Sequence, residues 1–163
     1  MKNRVAYFGV FVALALIFSY IETLIPVHFA IPGIKLGLAN LIIVIALYKI
    51  GWKEAFLLSV VRVILAGFLF GNMFSIVYSL AGCTLSLLIM FLLKKKGGFS
   101  ILGISIAGGV FHNVGQLVVA MIVLESTNLS YYLPVLLFAG IITGFIIGIL
   151  ANEVLGRLIN FHL

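Results

Sequence analysis

Arg62 sits midway along residues 55–70, a stretch that is otherwise almost wholly apolar. A charge near the centre of a bilayer costs at least about 2.5–3.5 kcal/mol on insertion scales, so an arginine there needs either a partner or a task. A second polar group breaks residues 102–124, where His112, Asn113 and Gln116 occur close together. His112 and Gln116 are four apart and share one face of a helix, with Asn113 beside them. Asn40 lies about one turn into residues 36–50, and Glu22 closes the first apolar stretch. Guanidinium, imidazole and carboxamide groups at this depth are suited to holding a polar or anionic molecule through charge-assisted hydrogen bonds. Two readings of Arg62 stand side by side: a structural pair with Glu22, or a contact to a ligand. His112 alone would be a hydrogen-bonded packing residue, but beside Asn113 and Gln116 it also reads as part of a site. His28 and Glu125 read as solvated loop residues.

The same residues argue against catalysis. The chain contains no Asp, and its four acids (Glu22, Glu54, Glu125 and Glu153) fall at different depths. His28, His112 and His162 belong to an outer loop, the mid-membrane and the tail, so they cannot share a metal. Cys83 is the only cysteine, which rules out a disulfide framework within the chain and a Cys-based metal site. There is no glycine-rich phosphate loop, and no Ser stands beside a His base. The expectation is therefore no catalytic residue, no metal, no cofactor and no ATPase within this chain.

The elements that carry these residues follow from composition. Hydrophobic residues make up 64% of the 163 and charged residues 9%, with a mean hydropathy of +1.37. Soluble domains average about 45–50% apolar and about 25% charged, so the excess must face lipid. At about 20 residues per crossing, the length allows an all-α integral membrane protein, one transmembrane domain over 1–163 with about six helices. The expected spans are 5–25, 36–50, 55–70, 74–93, 102–124 and 132–155. Breaks fall at Pro26, Pro32 and Gly33, at Gly51, at Gly71-Asn72, at Lys94 to Gly98, and from Glu125 to Ser130. The first stretch is too long for a signal peptide and lacks a small-residue cleavage site. The second is short, suiting a tilted or interfacial helix.

Charge placement sets orientation. With the N-terminus in the cytoplasm, Lys2, Arg4, Lys49, Lys53, Lys94, Lys95, Lys96 and Arg157 lie inside, and Lys35 is the lone cation outside. The net charge of +6 is thus a topology signal rather than a nucleic-acid footprint, and both termini are expected to be cytoplasmic. Glu22, Lys35, Asn40, Asn72, Tyr78 and the loop after residue 124 then gather between mid-membrane and the outer surface, outlining a cavity open to the outside. Gly140, Gly144 and Gly148 repeat every four residues, a spacing that lets helices approach closely. Internal packing is one reading of that ridge and partner docking the other. Gly9 and Ala13 form a weaker small-residue face on the first helix.

The run Ile31-Pro32-Gly33-Ile34-Lys35-Leu36-Gly37-Leu38-Ala39-Asn40 follows Glu22-x-x-Ile25-Pro26. With Tyr78-Ser79-Leu80-Ala81-Gly82 and His112-Asn113-x-Gly115-Gln116, it resembles the bacterial Gx transporter family. That family is often labelled component I of heptaprenyl diphosphate synthase and is similar to the S components of energy-coupling factor (ECF) vitamin transporters. The resemblance implies an S-component-like fold in a bacterial cell membrane, with a pocket for a small vitamin-like or precursor molecule. It also implies a transmembrane scaffold subunit and two ATPase subunits as partners, docked through Gly9 and Ala13. The expected substrate contacts are Glu22, Lys35, Asn40, Arg62, His112, Asn113 and Gln116. A synthase activity fits poorly with a chain lacking Asp-rich magnesium-binding motifs, so the other expectation is an accessory or sensor role in prenyl diphosphate or quinone biosynthesis.

Overall fold

The computed structural model describes residues 2–24 and 37–158. Six α-helices follow one another: α1 (Lys2–Leu24), α2 (Leu38–Lys49), α3 (Trp52–Phe70), α4 (Met73–Lys96), α5 (Ile101–Val123) and α6 (Leu133–Arg157), with a 3₁₀ turn, Thr127–Tyr132, leading into α6. Pro26, His28, Pro32, Gly33, Lys35 and His162 lie outside the described residues.

Six crossings were expected, and the structure corrects that number. Among the described residues, four segments are long and apolar enough to cross a membrane: Val5–Leu24, Met73–Lys96, Ile101–Val123 and Thr127–Arg157. With 12 residues, α2 rises only about 18 Å, well short of a hydrocarbon core of about 30 Å. Every residue from Leu41 to Leu47 is buried, because α2 packs against α1, α3 and α6 at once. A helix apolar on all sides belongs in an interior. The 19-residue α3 is long enough but carries Lys53, Glu54 and Arg62.

On the outside, large apolar side chains face away from the bundle. Phe68 is 72% exposed and Phe138 66%. Soluble monomers rarely show such a continuous apolar collar, and the chain is a membrane protein.

The tightest packing joins α4 to α5 and α5 to α6. A Cβ on Gly144 would stand 2.6 Å from Ile106 Cα, and one on Gly148 would stand 2.9 Å from Leu102 Cα. The glycine ridge of α6 therefore serves internal packing against α5. Gly9 differs, since nothing lies within 4 Å of where its Cβ would be, and Ala13 is exposed on the same helix.

Helix ends are closed by identifiable groups. Asn72 accepts a bond from Ser75 N at 2.8 Å, while Ser75 Oγ accepts one from Asn72 N at 3.1 Å, a reciprocal cap that starts α4. Ser100 Oγ accepts from Gly103 N at the start of α5. Lysines finish the opposite ends. Lys94 Nζ donates to Leu47 O at 2.7 Å and lies 4.6 Å from the centre of the Tyr48 ring, and Lys49 Nζ donates to Leu158 O. Cations at helix C-termini complement the helix dipole. These bonds draw the C-terminal ends of α2, α4 and α6 together, forming one cation-rich end of the bundle. Arg157 pairs with Glu153 at 2.8 Å there, an exposed pair of little energetic weight.

Candidate ligand-binding site

The polar residues singled out in the sequence fall into two groups. The first joins α1, α2 and α3. Gly37, at the N-cap of α2, has φ 72° and offers no side chain to cap the helix. Glu22 supplies the missing acceptor from α1, its Oε1 taking a hydrogen bond from Leu38 N at 2.8 Å. A carboxylate at a helix N-terminus is favoured both by the bond and by the dipole. With α2 anchored this way, Asn40 Oδ1 comes within 3.5 Å of an Arg62 terminal nitrogen, a long hydrogen bond. Glu22, Arg62, Ser19, Ser75 and Ser79 line a cavity of about 40 Å³. Arg62 Nε is buried and meets no hydrogen-bond partner among the described residues. This cavity accommodates water-sized occupants.

The second group belongs to α5. His112 and Gln116 press against α4 at Gly82, where a Cβ would stand 2.7 Å from Gln116 Cγ and 2.8 Å from His112 O. Asn113 faces α6 and its Nδ2 donates to Leu136 O at 2.8 Å. Asn113 and Gln116 line a much larger cavity, about 390 Å³, together with Phe74, Tyr78, Leu124 and Tyr132. Small-molecule sites are concave, largely apolar and of this order of volume, with a few polar groups to fix orientation.

The structure thus brings Arg62, Asn40 and Glu22 together, and brings Asn113 and Gln116 together, but Arg62 and Glu22 line one cavity and Asn113 and Gln116 another. α4 walls both, giving Ser75 and Ser79 to the smaller and Phe74 and Tyr78 to the larger. Lys35 lies outside the described residues. Sequence reasoning missed the 3₁₀ turn, which contributes Leu129 and Tyr132 to the larger cavity; the tyrosine pair Tyr131-Tyr132 beside Pro134 was its only signal. It also missed Glu22 as the cap of α2, although Gly37 directly before the helix shows that a cap must come from elsewhere.

Comparison with known proteins adds one finding. Residues 11–154 match the family model described as heptaprenyl diphosphate synthase component I. No curated protein and no solved structure matches the chain.

Proposed function

The chain belongs to the heptaprenyl diphosphate synthase component I family, and on that premise we propose that it is a non-catalytic membrane subunit that binds a small molecule. The carrying observation is the 390 Å³ cavity, whose apolar walls enclose the carboxamides of Asn113 and Gln116. The finer reading is uptake: an S-component-like subunit in a bacterial cell membrane, energised by separate ATPases through a transmembrane scaffold. Its support is the resemblance of the loop and span motifs, together with the open face of α1 at Gly9 and Ala13. The cation-rich end then faces the cytoplasm, and the larger cavity faces outward. Arg62, Asn40 and Glu22 fix α1, α2 and α3 beside it in this reading.

The family description itself favours a second reading. A component I implies a component II, so this chain would be the membrane partner of a catalytic prenyltransferase. An absence of Asp fits a subunit that leaves diphosphate chemistry to its partner.

Affinity purification from mildly solubilised native membranes separates the readings. Uptake predicts a scaffold and two ATPases in the eluate, and the second reading predicts a soluble prenyltransferase. In the same cells, a cysteine at Asn128 should react with an impermeant thiol reagent from outside, and one at Lys95 should not. The reverse labelling pattern would turn the cavity to the cytoplasm and remove the uptake reading.

A further inference from the structure

We infer that the larger cavity takes an uncharged, mostly apolar molecule whose polar end carries a carbonyl and enters first, towards Asn113 and Gln116. This rests on the ligand-binding reading above and names the class of ligand.

The walls decide the charge. Tyr78, Asn113, Gln116 and Tyr132 are the polar side chains among the described residues that line the cavity, and the rest are apolar. No lysine, arginine or carboxylate is among those lining residues. An ion placed there would lose its hydration without gaining a counter-charge, which is far costlier than burying a neutral polar group. Arg62, the cation that would have selected an anion, lines the other cavity.

The hydrogen-bond inventory decides the head group. Asn113 Nδ2 spends one of its two N–H groups on Leu136 O, which leaves the second N–H as a donor and Oδ1 as an acceptor. Gln116 and the Tyr78 hydroxyl make no hydrogen bond to other described residues. A carboxamide offers two donors and an acceptor, and a phenol offers one donor. A ligand carbonyl satisfies the Gln116 amide or the Tyr78 hydroxyl, and a ligand N–H or O–H satisfies Asn113 Oδ1. Along α5, Gln116 stands about 12 Å and Asn113 about 16 Å from Leu124, at the deep end. Leu117, Ala120, Leu124 and Leu129 flank the rest. The apolar body of the ligand therefore points towards the 3₁₀ turn.

Three probes sharing one apolar body test this: naphthalene-2-carboxamide, naphthalene-2-carboxylate and naphthalene. Equilibrium dialysis against phosphatidylcholine nanodiscs, with and without the full-length protein, subtracts partition into lipid. The carboxamide is expected to bind saturably above empty discs, and the other two at least tenfold more weakly. Gln116→Leu should weaken carboxamide binding at least tenfold with an unchanged melting temperature. Tyr78→Phe should weaken it severalfold and stands in if the first variant fails to fold. Carboxylate binding as tight as carboxamide binding would overturn the neutral class while leaving a ligand-binding subunit. Carboxamide binding that ignores both variants would overturn the assigned head-group contacts. No excess over empty discs for any probe would overturn the inference, whereas the subunit reading is judged separately by the purified partners.

Discussion

Replacing Gly144 by leucine is expected to lower unfolding stability in detergent by about 3 kcal/mol or more, at the severe end of overpacking substitutions. The cause is backbone proximity. The new Cβ would stand 2.6 Å from Ile106 Cα and 2.7 Å from Ser105 O, and neither atom can move without displacing α5. The two helices must separate, and that separation opens the 390 Å³ cavity because Leu136 of α6 and Asn113 of α5 are joined across it. Phe145, next in sequence, is exposed, so Phe145→Leu should leave the melt nearly unchanged. A Gly144→Leu protein that unfolds like the parent would mean that α5 and α6 do not approach this closely.

Glu22→Ala is expected to destabilise the protein more than Arg62→Ala does. The Glu22 carboxylate serves both α2 and α3. Glu22 Oε1 caps α2 through Leu38 N, and the same carboxylate lines the small cavity with Arg62 and acts on it electrostatically. Removing the acid strips α2 of its cap, worth about 0.5–2 kcal/mol, and takes the nearby negative charge from a guanidinium whose Nε already lacks a hydrogen-bond partner among the described residues. Removing the arginine instead leaves a carboxylate that still has Leu38 N. The double variant should therefore be less destabilised than the sum of the singles, with a coupling of about 1–3 kcal/mol. Chemical unfolding of the four proteins in one detergent measures this. Additive losses would show that Glu22 and Arg62 act independently, and Arg62 would again be available to a ligand.

These cases show where the sequence was readable. The membrane class follows from composition, and the helix breaks follow from Gly51, Gly71, Gly97 and the polar stretch from Glu125 to Ser130. The α6 ridge was legible as a close-packing face because glycine every four residues can do little else on an apolar helix. The α5 cluster was legible because three polar residues inside an apolar helix demand an explanation. The place of α2 was not legible. Its unbroken apolar run carries no periodicity, so a short interior helix and a strained crossing look alike until α1, α3 and α6 are seen around it. Likewise, depth along the membrane placed Arg62 near His112, yet depth is silent on which cavity each helix faces. Glu22 looked like a charge partner for Arg62, and its bond to Leu38 N depends on how the helices after the first loop return.

The central claim is that this chain holds a small neutral molecule in the cavity between α4, α5 and α6. Native mass spectrometry of the protein, released directly from its own membranes, tests it most directly. The account predicts a retained species of small-molecule mass on the parent protein, lost from Gln116→Leu while the variant keeps its fold and its melting temperature. A parent protein carrying only phospholipid adducts, identical in number and mass to those on Gln116→Leu, would contradict it.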